Sequence, residues 1–168
     1  MLQKDVKQVI ISLMSELDFY FEENEFIRRS NSLTYIRKLD GVTQKVEIVF
    51  FSNPSYHPGA LAHIYPHMQI YIPSVNATTK EYASHLILSK WLDQFTLRQP
   101  IQIYSHSGDF YLLDVNDYES LKDQLLDFFE VYAMSLFNDL TSEKNYLLLY
   151  ESKDKRIIWD DNQYLYIA

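Results

Sequence analysis

The stretch that decides the fold is residues 33–51, LTYIRKLDGVTQKVEIVFF, which has the pattern of two strands joined by a tight turn. Asp40-Gly41 stands between two runs rich in β-branched and aromatic residues, and this dipeptide favours a type I′ turn with positive φ at both central positions. In the second run, apolar residues at 46, 48 and 50 alternate with Lys45 and Glu47. The stretch therefore predicts an antiparallel hairpin of residues 33–39 and 42–51 with one face toward a core.

One further strand is predicted before this hairpin and one after it. Residues 26–29 form a short apolar and basic run, and residues 63–72 alternate apolar with polar or aromatic side chains. Pro66 has no amide donor, so we expect the 63–72 strand to lie at an edge of the sheet or to begin after the proline. Together the four segments predict an antiparallel meander.

Helical patterns fill the rest of the chain. Residues 3–18 are amphipathic, Thr78-x-x-Glu81 and Asn116-x-x-Glu119 have the capping-box pattern, and residues 117–140 carry a long apolar stripe. Thr141 or Ser142 is expected to cap one further helix through Glu151. We expect a single α+β domain over residues 1–168: an antiparallel meander of about four strands, helices packed on one face and a helical C-terminal half.

Composition excludes several classes of site. The 168 residues include three isolated glycines and no cysteine. A dinucleotide fingerprint or a Walker A loop needs clustered glycines, and thiolate metal sites and cysteine nucleophiles need cysteine. No apolar run is long enough to span a membrane, and the N-terminus does not have the pattern of a signal peptide. We therefore expect a cytoplasmic protein without a cofactor; its oligomeric state is left open.

Negative charge is concentrated in one predicted helix. The net charge is −8, and residues 117–140 hold six acidic groups against one basic group. We call Glu119, Asp123, Asp127 and Glu130 the acidic stripe, because their spacing places them along one helix edge. The acidic total disfavours nucleic acid as a partner and permits a basic protein. The stripe is interpreted either as a solvated helix face or as a docking surface for such a protein.

Other clusters give weaker support for chemistry. His63 and His67 share a strand face but lie about 13 Å apart along it, too far to hold one metal ion together, so we expect no metal site. The run 105–109, SHSGD, has the residue types of a nucleophilic site but the pattern of a turn. A basic group falls in the meander near Tyr35, and an open basic and aromatic sheet face is typical of single-strand binding; its members are Arg28, Arg29, Arg37, Lys38 and Lys45.

The order of elements resembles a loose superfamily of uncharacterised bacterial α+β domains. The resemblance is carried by F-x-R-R at 26–29, H-M-Q-I-Y-I-P at 67–73, a helix bearing Trp91, L-L-D-F-F-E at 125–130 and T-S-E-K-N-Y-L at 141–147. Some members of that superfamily are encoded among the immunity proteins of polymorphic toxin systems. The resemblance implies a small cytoplasmic domain that acts by binding another protein, and it assigns no functional residue.

The sequence thus favours a non-enzymatic protein-binding module, and the most specific version of this hypothesis is a toxin-immunity protein. Its predicted contact residues are Glu119, Asp123, Asp127 and Glu130, and its predicted partner is a basic protein. The alternative is a hydrolase or nuclease-like enzyme whose site is assembled from dispersed His, Asp and Glu residues.

Overall fold

Six strands form one antiparallel sheet in the computed structural model of the chain, which describes residues 3–83, 95–100, 110–116 and 118–157. In chain order the strands are β1 (Ile27–Arg28), β2 (Thr34–Leu39), β3 (Val42–Ser52), β4 (Ala62–Tyr71), β5 (Leu97–Pro100) and β6 (Phe110–Leu112). They lie in the order β1-β2-β3-β4-β5, and β6 also pairs with β4. The α+β class and the meander are confirmed, and the sheet is wider than the predicted four strands because β5 and β6 extend it beyond β4.

The predicted hairpin is present, with a different turn. Leu39 pairs with Val42, so Asp40 and Gly41 form a two-residue loop. Gly41 adopts a φ of +71°, but Asp40 does not have a positive φ. The turn is therefore not type I′, and only the glycine supplies the left-handed conformation.

Strand β4 lies inside the sheet, so the expectation that it forms an edge or begins after Pro66 was wrong. It pairs with β3 over ten residues, and on its other side with β6 at 62–64 and with β5 at 67–70. Ile48, opposite Pro66, donates its amide to Leu33 O on the far side of β3. Ile48 and Pro66 are therefore a non-hydrogen-bonded pair, and the proline nitrogen faces away from β3, at a position where no described strand needs a donor.

The helices are α1 (Gln3–Glu23), α2 (Pro73–Ala83), α3 (Glu119–Phe128), α4 (Met134–Asp139) and α5 (Glu143–Glu151). A π-helical turn, Phe129–Ala133, joins α3 to α4. One sheet face carries the core, in which buried strand residues such as Val46 and Met68 pack with α1, α3, the π turn and α4. Ser142 caps α5 through a hydrogen bond from Asn145 N, as predicted.

Two of the predicted helix starts were wrong. Helix α2 begins at Pro73, and Thr78 lies inside it with its hydroxyl bonded to Ser74 O. Proline has no amide hydrogen, and the amide hydrogens of the first helical turn have no acceptor within the helix, so proline costs no hydrogen bond at this position. Helix α3 begins at Glu119, while Asn116 donates its amide to Asp114 Oδ1 and caps nothing. The expected helix around Trp91 and the SHSGD run at 105–109 lie outside the described residues.

A buried polar network joins the hairpin to the helices. The Gln44 side chain is fully buried, and its amide nitrogen donates to Phe137 O at 2.7 Å and to Leu140 O at 2.9 Å. Its amide oxygen accepts from Arg37 Nε at 2.7 Å, and Arg37 also donates to Asn138 Oδ1. The last carbonyls of a helix have no intrahelical partner, so these bonds satisfy the end of α4 inside the protein.

A second network holds α1 against the sheet. Arg28 donates to both carboxylate oxygens of Asp18, at 2.7 and 2.6 Å, and the Tyr35 hydroxyl lies 2.8 Å from the same carboxylate. Burial by itself raises the pKa of Asp18, but the hydrogen bonds from Arg28 and Tyr35 outweigh it and hold that pKa below its usual value. The Arg28 side chain is only 5% exposed, so Asp18 balances a nearly buried charge.

We predict that Asp18→Ala lowers the free energy of unfolding by about 3 kcal/mol at neutral pH, because it leaves Arg28 without its counter-charge. The lowered pKa means that this stabilisation is present above the ordinary pKa of aspartate and is lost as the pH falls through the folded value. Urea unfolding of both proteins across the acidic range measures the difference. Glu22→Ala, one turn further along α1 on an exposed side chain, is the control and should change stability by about 0.5 kcal/mol or less.

The π turn changes which side chains are buried after Phe128. The apolar spacing of residues 117–140 places Tyr132 on the core side of a regular helix, as it does Phe128. Phe128, Phe129 and Ala133 are buried, whereas Tyr132 is 39% exposed. A π turn takes more residues per turn than an α-helix, so it rotates Tyr132 out of the core and brings Ala133 in. Tyr132 keeps a stacked contact with Phe128, with ring centroids 5.8 Å apart.

Truncation to alanine should therefore have unequal effects at these two positions. Phe128→Ala is expected to cost about 3–5 kcal/mol, because it opens a cavity in the core. Tyr132→Ala is expected to cost about 1 kcal/mol, the size of one exposed aromatic contact. Equal losses in urea unfolding would show that Tyr132 is a core residue and that the turn is misplaced.

Candidate functional site

The second face of the sheet carries a groove of about 700 Å³. Residues that alternate with the core positions line it, because successive side chains of a strand point to opposite faces. The lining residues are Thr34, Ile36, Lys38, Thr43, Lys45, Glu47, Gln69, Tyr71, Phe95 and Arg98. The groove and the helix layer that packs against the core therefore lie on opposite sides of the sheet.

Strand register places three polar side chains of the groove in one row. Lys45 of β3 is opposite Gln69 of β4, and Gln69 is opposite Arg98 of β5. Neighbouring strands are about 4.8 Å apart, so the Cα atoms of Lys45 and Arg98 lie about 10 Å apart across the sheet, with Gln69 between them. Lys38, on β2, lines the same groove.

A polar cluster closes one end of that row. Arg98 Nη2 lies 3.2 Å from Glu47 Oε2 and 2.8 Å from His67 Nδ1, and Gln69 donates to the same glutamate oxygen at 2.7 Å. Arginine only donates hydrogen bonds, so His67 Nδ1 accepts, and a neutral ring then carries its proton on Nε2. Burial and the Arg98 charge lower the pKa of His67, against the opposing effect of Glu47. This imidazole is therefore kept neutral at neutral pH.

Positive charge exceeds negative charge in the groove. Glu47 is paired with Arg98, whereas neither Lys38 nor Lys45 has a carboxylate partner among the residues that the structure describes. Arg98 Nε is buried and has no hydrogen-bond partner there. An acidic protein thus carries a locally cationic groove.

The basic group suggested by the sequence is divided between the two faces. Arg37 is buried against Gln44, Arg28 is bonded to Asp18, and Tyr35 is 1% exposed beneath α1. Arg29, Lys38 and Lys45 remain on the groove side of the sheet. The open basic and aromatic surface that would bind a nucleic-acid strand is therefore not formed by those five residues together.

All four residues of the acidic stripe are exposed on the opposite, helical side of the protein. Lys122 bridges Glu119 and Glu16, and its Nζ lies 3.0 Å from Glu16 Oε2. Asp123 and Asp127 make no hydrogen bond or ion pair with any described residue. Glu130 lies close to Tyr20, whose pKa rises to about 12 through burial first and the Glu130 charge second.

The π turn adds apolar surface beside the stripe. Val131 is 53% exposed and Tyr132 39% exposed, and both follow directly after Glu130. Sequence reasoning missed this exposure because it assumed a regular α-helix through residue 140. The available signal was the adjacent pair Phe128-Phe129 followed by Ala133, a spacing that one α-helical face accommodates poorly.

The described histidines occupy different surroundings. His63 packs against Tyr65 and Tyr111 in tilted ring contacts, with ring centroids 3.8 and 4.3 Å away, and its Nδ1 lies 2.8 Å from the Tyr56 hydroxyl. His67, which is on β4 like His63, belongs instead to the cluster around Arg98. Within the described ranges, no group of three or more His, Asp or Glu side chains is arranged to hold a metal ion.

Sequence reasoning also missed Arg98 and the groove itself. Alternation along β4 placed His67, Gln69 and Tyr71 on the polar side of the strand. Arg98 was not assigned to the sheet, because the segment before Pro100 was expected to end a helix. Its position depends on β5 pairing with β4, a long-range contact without a local signal.

No family model matches the chain, and no curated protein or solved structure matches it either. The part of the chain that the structure describes contains no helix long and apolar enough to cross a membrane.

The lowered pKa of His67 predicts a pH effect on stability. Below the ordinary pKa of histidine the unfolded chain takes up a proton that the folded protein resists, so acidification weakens the wild type. In His67→Asn this contribution is absent, and the stability of the wild type relative to the variant should fall between about pH 7 and pH 5. Urea unfolding of both proteins at each pH measures this difference. A free-energy difference between wild type and variant that does not change with pH would contradict the prediction.

Proposed function

We propose that the protein is a non-enzymatic protein-binding module that docks a basic partner on the outer surface of α3 and the π turn. This binding face consists of the acidic stripe, Glu119, Asp123, Asp127 and Glu130, together with Val131 and Tyr132. The resemblance to immunity-protein domains extends the proposal to a specific form, in which the basic partner is a toxin.

The observation that carries this proposal is the exposure of Tyr132 and Val131 beside the acidic stripe. Protein interfaces combine a small apolar and aromatic centre with a polar or charged rim, and tyrosine is enriched in them. A regular α-helix would bury residue 132 and leave only a charged edge. The π turn instead supplies an aromatic side chain that is already held in place by its stack on Phe128.

The pairing pattern within the stripe supports different roles for its members. Glu119 is engaged by Lys122, so its charge is partly balanced within the protein. Asp123 and Asp127 form no ion pair with any described residue, and they follow Glu119 at four-residue spacing. We infer that these two carboxylates and Glu130 attract the partner, while Glu119 helps to hold α3 against α1 through the shared lysine.

The test compares two triple charge reversals as baits. One replaces Asp123, Asp127 and Glu130 with lysine, and the control replaces Glu22, Glu23 and Glu151, which are exposed and lie outside the stripe. Both change the net charge equally. A protein from the native host that binds the wild type and the control, but not the stripe variant, is the predicted partner. Recovery of the same proteins by all three baits would contradict the proposal.

The recovered partner then allows the charged and apolar parts of the face to be separated. Charge reversal should slow association mainly, and the effect should fade as salt rises, because exposed charges are screened over about 8–10 Å at physiological ionic strength. Tyr132→Ala should mainly speed dissociation, since it removes the aromatic contact rather than the attraction. Stopped-flow or surface-based kinetics at two salt concentrations measures both rates.

A further inference from the structure

We propose that the groove on the second face of the sheet binds a small organic phosphate of the nucleoside monophosphate class. In this site the Lys45–Gln69–Arg98 row holds the phosphate, and Tyr71 and Phe95 contact the ring. The site lies on the opposite side of the sheet from the acidic stripe, and the proposal does not depend on the protein-binding function.

The first argument is the unbalanced charge of the row. Lys45 is half-buried and Lys38 exposed, both line the groove, and neither has a described acidic partner. Partial burial weakens the hydration of an ammonium group, so an anion in the groove would be held more strongly than on an open surface. The Gln69 amide between the two cations of the row adds neutral hydrogen-bonding capacity at the same place.

The second argument is the incomplete pairing of Arg98. Glu47 is reached through Nη2 alone, at 3.2 Å, rather than through the two parallel bonds that a guanidinium and a carboxylate form at best. Nη2 is also shared with His67, while Nε has no acceptor in the described structure. A phosphate has three acceptor oxygens, so it can accept hydrogen bonds from guanidinium N–H groups that the Glu47 carboxylate does not engage.

The third argument concerns the aromatic side chains. Tyr71 and Phe95 both line the groove, and the Phe95 ring centroid lies 5.9 Å from the Arg98 guanidinium carbon. An aromatic surface beside a phosphate site is suited to a ligand that carries a planar ring, because every nucleobase has a face that stacks. The groove volume of about 700 Å³ is within the range of small-molecule sites.

The same geometry argues against a longer nucleic acid. The Glu47 carboxylate lies beside the row, against Gln69 and Arg98, so a second phosphate that followed on that side would meet a carboxylate. The net charge of −8 repels a polyanion as a whole, whereas a monophosphate experiences mainly the local cations. A single phosphate with one attached ring is therefore the ligand that the groove fits.

The experiment is calorimetric titration of the full chain at low ionic strength with AMP, adenosine, inorganic phosphate and citrate. We expect saturable binding of AMP, weaker binding of inorganic phosphate, and no binding of adenosine or citrate. No saturable AMP binding at millimolar concentrations would overturn the proposal. Citrate binding as tight as AMP binding would overturn it too, since the groove would then be a general anion site.

Variants locate the binding. Lys45→Gln should weaken AMP binding about tenfold or more, because it removes one charged hydrogen bond to the phosphate. Lys144→Gln, on an exposed lysine of α5, is the matched control and should leave the affinity unchanged. Equal affinities of the wild type and Lys45→Gln would place the binding elsewhere and overturn the proposal. If Lys45→Gln fails to fold by circular dichroism, Arg98→Gln, which removes the other cation of the row, makes the same test.

Two further comparisons separate the parts of the proposal. Tyr71→Ala should lower the affinity for AMP to that for inorganic phosphate; an unchanged preference for AMP would remove the ring contact from the proposal. The triple reversal of Asp123, Asp127 and Glu130 should bind AMP as the wild type does. Loss of AMP binding in that variant would place the nucleotide on the helical side and overturn the groove assignment, independently of any result with a protein partner.

Discussion

The side-chain amide of Gln44 is the contact on which the arrangement of sheet and helices depends. It is fully buried and bonded to two carbonyls at the end of α4 and to Arg37 of the neighbouring strand. A buried amide that loses such partners costs about 1–3 kcal/mol for each group left unsatisfied, so sliding α4 along the sheet is disfavoured. The hairpin and the last turn of α4 are therefore held in one relative position.

The same hairpin separates two kinds of chemistry between the faces of the sheet. Tyr35, Arg37, Gln44 and Val46 face the helices, and there each polar group is matched with a specific partner. Lys38, Lys45 and Glu47, which alternate with them, face the groove. A one-residue change of register would exchange the two sets, placing lysines in the core and Gln44 in the groove. The register of the hairpin therefore determines both the hydrogen bonding of the buried polar groups and the charge of the groove.

Sequence reasoning succeeded where the signal was local. Alternation in residues 42–51 and 63–72 predicted the hairpin, the meander and which side of each strand is polar. It failed where a distant contact decides the outcome. The local sequence around Arg28 and Arg37 is typical of exposed basic residues. Both side chains are nevertheless buried, because Asp18 and Gln44 accept their hydrogen bonds inside the protein. Arg98 joins the groove because β5 pairs with β4, and Pro66 is tolerated inside the sheet because its nitrogen faces away from β3, at a position that the described parts of β5 and β6 do not pair with.

The exposure of Tyr132 follows from two constraints on one helical segment. Leu121 and Leu125 set the rotation of α3 by their burial in the core, and Gln44 sets the rotation of α4 by binding its final carbonyls. The chain between them has one residue more than a continuous α-helix would need to satisfy both ends, and the wider π turn takes it up. The residue turned outward by this adjustment is an aromatic one, beside two carboxylates without described partners. A packing requirement of the core thereby shapes the surface proposed for binding.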